Sequence, residues 1–150
     1  KGNPKSAFEK AIKYSNKSAM TLSDKFCVDR HRVNFLELVK NKLDITFANE
    51  QEMISLIEAK NFQDVVTFAK QIKKLIVITR GEKGAIAIFG EKTIEVGVKK
   101  NLNIIDLTGA GDLFAAGFLH GYINGLQTKD SLEKGAELSS KIIQKMGARL

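Results

Sequence analysis

The residues with the clearest chemical potential are Gly109 to Asp112, where Gly-Ala-Gly is followed by an aspartate and an apolar stretch. Glycines adopt turn conformations that other residues avoid and let a ligand approach the main chain. If a helix begins here, its first N–H groups are unpaired and its dipole adds partial positive charge, which suits phosphate. A carboxylate in the same turn can accept a proton. Together these features fit phosphoryl transfer, with an anion hole for the developing charge and a base for the attacking hydroxyl.

Asp112 also has a simpler interpretation. Acidic residues are common in the first turn of a helix because they complement the partial charge of its N-terminus. The turn by itself does not separate a helix-stabilising aspartate from a base, so the surrounding elements have to be considered.

Those elements alternate between the periodicities of strand and helix. "LIVIT" (75–79) is a continuous apolar run of strand length, typical of a strand that is covered on both faces. Further strands are predicted at 19–22, 44–49, 85–89 and 93–98, and helices at 4–17, 29–40, 50–59, 62–72, 112–124 and 129–145. The alternation predicts one α/β domain over residues 1–150, with a largely parallel sheet and helices on both faces.

In such sheets, ligands bind beyond the carboxyl ends of the strands. Polar residues stand at four such places, and each set follows a predicted strand or precedes a predicted helix. They are Ser23-Asp24, Asn49-Glu50, Thr79-Arg80-Gly81 and Thr108 to Asp112. The sequence therefore predicts one site at this edge of the sheet.

Composition narrows the classes of partner. The net charge of +7 comes from scattered lysines, and the chain has no tryptophan and two tyrosines, so nucleic acid is not favoured; a basic rim around a small anion fits the charge equally well. No apolar run is long enough to cross a membrane. The single cysteine, Cys27, cannot form an intrachain disulfide and fits a reducing cytoplasm. No Walker A motif occurs in the chain.

Three stretches carry a family resemblance. "DLTGAGDLFAAGF" (106–118) resembles the C-terminal signature of the ribokinase-like (PfkB) family of carbohydrate and nucleoside kinases. "DITFANEQE" (44–52) resembles its strand with the N-x-x-E motif, and "VITRGEKGA" (77–85) resembles the strand and loop beside its ATP site. "LSDKFCVDRHR" (22–32) and "QKMGARL" (144–150) look most like bacterial adenosine-kinase-like members. The resemblance implies a three-layer α/β/α fold.

The resemblance also implies roles for matched residues. Asp112 would be the base that takes the proton of the substrate hydroxyl. The amides of Gly109, Ala110 and Gly111 would form the anion hole for the phosphoryl group. Asn49 and Glu52 would organise Mg²⁺ through its waters. Without the other motifs, Glu52 would read as a solvated helix residue.

The remaining implied contacts concern the nucleotide and a second cation. The residues implied to contact ATP are Thr79, Arg80, Gly81, Gly84 and Thr108. Those implied to bind a possible monovalent cation such as K⁺ are Asp106 and Thr108. A plain turn between two strands is the competing interpretation of Gly81 to Gly84. Leu107 differs from the family pattern, which leaves the monovalent cation undecided.

Three hypotheses about function follow. The first is ATP-dependent phosphorylation of a nucleoside, adenosine above all, or of a sugar of the ribose or fructose type. The second is a nucleotide-binding module without catalysis, and the third is a structural or nucleic-acid-binding domain. The resemblance places the acceptor site and a β-sheet lid in an N-terminal half that nothing here matches. We therefore expect the chain to be the C-terminal ATP-binding and catalytic part, weakly active by itself.

Overall fold

The structure, a computed structural model, describes residues 4–149. Its α-helices are α1 (Pro4–Tyr14), α2 (Lys25–Glu37), α3 (Glu50–Ile57), α4 (Phe62–Ile72), α5 (Ala110–Ile123) and α6 (Thr128–Ile142). Its strands are β1 (Ala19–Thr21), β2 (Ile45–Asn49), β3 (Leu75–Thr79), β4 (Ala85–Phe89) and β5 (Lys92–Val96). A short π-helix (Leu38–Lys42) extends α2, and a 3₁₀ turn (Gly81–Lys83) follows β3.

The five strands form one sheet in the order β1-β2-β3-β4-β5. β1, β2 and β3 pair in parallel, and β4 is antiparallel to both β3 and β5. Four of the five strands therefore run in the same direction, which confirms the prediction of a largely parallel sheet. β4 and β5 form a hairpin, joined at Gly90 and Glu91.

Helices cover both faces of the sheet, which makes the three-layer arrangement that was expected. β3 shows why its sequence is continuously apolar. Ile76 and Ile78 face a core shared with α2, α3 and α4, whereas Leu75 and Val77 face a second core shared with α5 and α6. All four side chains are buried. Both faces of these four residues are removed from water, so the strand is apolar up to its last residue, Thr79, which is half-buried.

The second helical layer depends on close contact between α5 and α6. A Cβ atom added at Gly117 would lie 2.7 Å from the carbonyl oxygen of Lys134, and one at Gly135 would lie 2.7 Å from that of Phe114. Only hydrogen fits at these two positions. The pair of helices packs on the sheet through Phe118. Its ring lies edge-on to the ring of Phe47 in β2, with 5.4 Å between the two ring centroids.

Several predicted helix boundaries were wrong. α2 begins at Lys25 rather than Asp29, because the Asp24 side chain accepts a hydrogen bond from the N–H of Cys27 (2.9 Å) and caps the helix. α5 begins at Ala110 rather than Asp112, so the small residues belong to its first turn. α1 ends at Tyr14 and α6 at Ile142, each three residues before the predicted end.

The edge of the sheet at β1 is sparsely covered. Among the described residues, β1 pairs only with β2, so its outer edge has no partner strand. α2, which follows β1, exposes Phe26 (83%) and Val33 (82%).

No helix in the described range is both long and apolar enough to span a membrane.

The glycine contact between α5 and α6 gives a stability prediction. We expect Gly117→Ala to lower the free energy of unfolding by about 1–3 kcal/mol, because the added methyl group collides with backbone that cannot move without separating the helices. Urea denaturation followed by circular dichroism measures the change. Gly97→Ala is the matched control, since nothing lies within 4 Å of the added Cβ there. Equal stabilities of the two variants would contradict the prediction.

Candidate active site

A cavity of about 350 Å³ lies at the carboxyl ends of the parallel strands, facing the N-terminus of α5. Apolar side chains of Phe47, Val77 and Phe114 form part of its wall. Its polar lining comes from Thr21, Ser23, Asn49, Glu52, Thr79, Asp112 and the Gly109–Gly111 turn. All four segments predicted at strand ends and helix starts therefore line one cavity, through Ser23, Asn49, Thr79 and Gly109–Asp112.

The N-terminus of α5 is open toward this cavity. Gly109 has a positive φ of 79°, and a Cβ there would lie 3.0 Å from Cβ of Ala148, so a side chain would be strained and crowded. Gly111 and Asp112 make no backbone hydrogen bond through their N–H groups to any described residue, whereas the N–H of Ala110 donates to the carbonyl of Leu107 at 3.1 Å. The free N–H groups are the donors that an anion would need.

The Asp112 side chain is exposed and has no hydrogen bond or ion pair with the described residues. It therefore does not act as a capping side chain; the N-cap is Gly109, which has no side chain to offer. A carboxylate that lines a cavity beside unpaired N–H groups, and that is not used within the fold, is available to a ligand.

Asn49 and Glu52 form reciprocal hydrogen bonds at the junction of β2 and α3. The Asn49 side chain accepts from the N–H of Glu52 (2.8 Å) and donates to Oε1 of Glu52 (2.7 Å). Oε2 of Glu52 accepts from the N–H of Asn49 (2.9 Å), which completes a capping box. Glu52 is only 5% exposed, so it is not a solvated helix residue.

Burial raises the pKa of Glu52, and the nearby Asp24 carboxylate acts in the same direction, against the hydrogen bond from Asn49. A cation beside Glu52 would favour its ionised form. Each carboxylate oxygen accepts one hydrogen bond and has a further lone pair, so hydrated Mg²⁺ fits this pair of residues. Within the described part of the chain, no group of three or more histidine, cysteine, aspartate or glutamate side chains is arranged so that it could hold a metal ion.

Arg80 lies outside the cavity, in a neighbouring groove with Gly81. Its Nε donates to Glu50 at 2.9 Å, and its guanidinium stacks on the Phe62 ring at 3.8 Å. These contacts connect the end of β3 to α3 and α4. They give Arg80 a structural role that positions the loop beside Thr79.

The two glycines of the predicted nucleotide loop differ. Gly84 has a φ of 88°, and a Cβ there would lie 1.9 Å from the carbonyl oxygen of Val96, so glycine is required to bring β4 against β5. Gly84 fits the competing interpretation of a turn between strands. Gly81 has a φ of 56° and nothing within 4 Å of an added Cβ, which leaves open space for a ligand.

Asp106 and Thr108 lie in the loop that precedes α5 and are joined by hydrogen bonds. Oδ1 of Asp106 accepts from the N–H (2.9 Å) and the hydroxyl (2.7 Å) of Thr108, and Oδ2 accepts from the N–H of Gly147 (2.9 Å). These donors, those of Thr108 first, lower the pKa of Asp106. Neither residue lines the cavity, whereas Leu107 between them does.

Sequence reasoning missed Thr21 and Leu107. Thr21 ends β1, so its position as the last residue of a strand was the available signal. Leu107 carried no such signal, because an apolar residue in a loop does not indicate a cavity wall.

The raised pKa of Glu52 gives a prediction about pH. A carboxyl group whose pKa is higher in the folded state stabilises the fold below its unfolded-state pKa, and that stabilisation is lost as the pH rises through the folded-state pKa. Glu52→Gln keeps an acceptor for the capping box and does not titrate. We expect the unfolding free energy of the wild type, minus that of Glu52→Gln, to fall as the pH rises from the ordinary glutamate pKa of 4.5 to alkaline values. Urea titrations across this range measure it, and a difference that is constant or rises would contradict it.

Comparison with known proteins gives consistent matches. Residues 1–150 match the pfkB family carbohydrate kinase. The chain is 33% identical over 118 residues to a cytidine kinase of Thermococcus kodakarensis, covering 77% of this chain and 42% of that protein. It is 31% identical over 114 residues to a nucleoside kinase of Methanocaldococcus jannaschii, covering 76% of this chain and 37% of that one.

The solved structures agree. An adenosine kinase from Sinorhizobium meliloti superimposes with a TM-score of 0.94 at 36% identity, over 99% of this chain and 47% of that one. The chain thus spans less than half the length of these relatives. The family match over the whole chain, together with the α/β fold and the turn that opens α5, leads to one conclusion: the chain belongs to the pfkB family of carbohydrate kinases.

Proposed function

We propose that the chain is the C-terminal, ATP-binding and catalytic part of a kinase that phosphorylates a hydroxyl of a nucleoside or sugar. The observation that carries the proposal is the unused carboxylate of Asp112 beside the unpaired N–H groups that open α5, at the wall of the cavity. These supply a base and an anion hole within one helical turn.

In the proposed reaction, the Asp112 carboxylate accepts the proton of the acceptor hydroxyl. The hydroxyl oxygen then bonds to the γ-phosphorus of ATP, the bond from that phosphorus to the bridging oxygen breaks, and ADP leaves with that oxygen. The N–H groups of Gly111 and Asp112 would stabilise the charge on the transferring group. Ala110 would contribute only by exchanging its hydrogen bond to Leu107 for one to phosphate.

Asn49 and Glu52 would hold Mg²⁺ through its waters, and this ion would neutralise phosphate charge when bound. The capping box supports this role because it fixes both side chains before any ligand arrives. A bound cation would act against the effect of burial on Glu52 and favour its ionised form.

Thr79 and Gly81 would lie along the nucleotide, with Arg80 positioning their loop through Glu50 and Phe62. Gly84 and Thr108 receive less support as nucleotide contacts, since both serve local structure. A K⁺ site at Asp106 and Thr108 would have to share oxygens that already accept hydrogen bonds within the loop.

A nucleoside is the preferred acceptor, adenosine first, because the similar proteins described above include kinases named for adenosine, cytidine and nucleosides. A sugar acceptor is the second candidate, since a 6-phosphofructokinase of Thermoanaerobacterium thermosaccharolyticum is 41% identical over 75 residues, 50% of this chain and 23% of that protein. A binding module without catalysis receives less support, because the Asp112 carboxylate and its cavity are intact.

The acceptor contacts would come from an N-terminal half of the same protein. Among the described residues, Ser23, Gly111 and Asp112 line the cavity and are exposed, so the cavity is open to solvent on that side, and the outer edge of strand β1 beside it has no partner strand. Water in an open cavity weakens electrostatic stabilisation of the transition state. We therefore expect the 150-residue chain to bind ATP and to transfer phosphate slowly by itself.

The role of Asp112 can be tested by turnover in the full-length protein. We expect Asp112→Asn to reduce ATP-dependent phosphorylation by about 100-fold or more, because the amide cannot accept the proton. ADP formation is followed with adenosine, other nucleosides, ribose and fructose as acceptors. ATP affinity, measured by calorimetry, should change little.

Asp130→Asn is the matched control, because Asp130 is the third residue of α6 as Asp112 is the third residue of α5. Both changes remove a charge from a first helical turn, so a purely electrostatic role for Asp112 would give similar losses of stability and no difference in turnover. Equal turnover in the two variants would remove Asp112 as the base. Absence of turnover with every acceptor, with ATP still bound, would favour the binding module.

A further inference from the structure

The connection between β1 and α2 contains an unusual turn. Ser23 has a φ of 74°, and the N–H of Asp24 donates to the carbonyl of Leu22 at 3.0 Å, across Ser23. A hydrogen bond between residues two apart around a positive φ defines a γ-turn of the rare, strained kind. Glycine adopts a positive φ without the penalty that a side chain imposes. The chain therefore keeps a serine where glycine would be more stable.

The hydroxyl of this serine is not used by the fold. It makes no hydrogen bond among the described residues, and Ser23 is exposed at the wall of the active-site cavity. The neighbouring polar groups are engaged: the Thr21 hydroxyl accepts from the N–H of Ser23 (3.2 Å), and Asp24 caps α2. A side chain that costs stability and has no partner in the protein is suited to a ligand.

The order of the strands indicates which part of the ligand it faces. The nucleotide is proposed to lie along Thr79 and Gly81 at the end of β3, and its phosphates near Asn49 and Glu52 at the end of β2. β1 is the next strand in the same direction, about 10 Å from β3 at ordinary strand spacing. A nucleotide that extends from β3 past β2 brings its last phosphate toward β1.

We propose that the Ser23 hydroxyl donates a hydrogen bond to the γ-phosphate of ATP, and that the strained γ-turn is retained because it aims this hydroxyl into the cavity. The inference rests on the proposed function and adds a ligand-binding residue to it. The γ-turn would position the Ser23 hydroxyl, and the hydroxyl would make the site prefer ATP, which carries the γ-phosphate, over ADP, which lacks it.

The test compares ATP and ADP binding to the chain, in the presence of Mg²⁺, for the wild type, Ser23→Gly and Ser23→Ala. Glycine removes both the hydroxyl and the strain, and alanine removes only the hydroxyl. For both variants we expect ATP to bind about tenfold more weakly, as for loss of a hydrogen bond to a charged group, with ADP affinity changed by less than about twofold. Thermal unfolding should show that Ser23→Gly is more stable than the wild type.

Lys73→Gly is the control, because Lys73 also has a positive φ (56°) but follows α4, at the opposite end of β3 from the cavity. It should gain stability and leave both affinities unchanged. If the Ser23 variants lose equal affinity for ATP and ADP, or lose none for ATP, the proposed contact between Ser23 and the γ-phosphate is wrong, while the proposed function still stands. A loss in Ser23→Ala but not in Ser23→Gly would show that turn geometry, not the hydroxyl, matters, and would also overturn the proposed contact. A wild type that binds neither nucleotide would overturn the proposed function as well.

Discussion

The reciprocal hydrogen bonds between Asn49 and Glu52 are the constraint around which the cavity is arranged. They fix the point where β2, which lies between the other two parallel strands, turns into α3. A buried carboxylate is costly unless its oxygens are satisfied, and here both oxygens accept hydrogen bonds from one residue. The same contacts that complete the helix cap also hold an acidic group still at the cavity wall. Structural and proposed functional roles therefore coincide in these two side chains.

The opposite wall depends on the main chain. α5 can bring its open N-terminus to the cavity because Gly117 and Gly135 let it lie directly against α6, and because Phe118 seats it on Phe47. The donors at its start are backbone N–H groups, whose positions follow from the helix axis rather than from any rotamer. One wall is thus set by side-chain hydrogen bonds and the other by the packing of two helices.

Sequence reasoning predicted the layers, the direction of the strands and the meeting of Asn49, Thr79 and Asp112, because strand ends and a glycine-rich helix start are encoded locally; Glu52 was indicated only by the family resemblance. It left Gly84 open between a nucleotide contact and a turn between strands, and it did not predict that Arg80 pairs with Glu50, since both depend on contacts between separate elements. The start of α2 was placed too late, although Asp24 is a typical capping residue. The positive φ of Ser23 could not be predicted, because serine shows no preference for that conformation.

The free edge of β1 has a consequence for the behaviour of the chain in solution. Its outer backbone groups are unpaired in the described structure, and Phe26 and Val33 on the following helix present apolar surface. An open strand edge beside exposed apolar side chains is a template for pairing with another polypeptide. As the concentration of the isolated chain rises, we therefore expect it to associate with itself at this edge under conditions in which it is still folded.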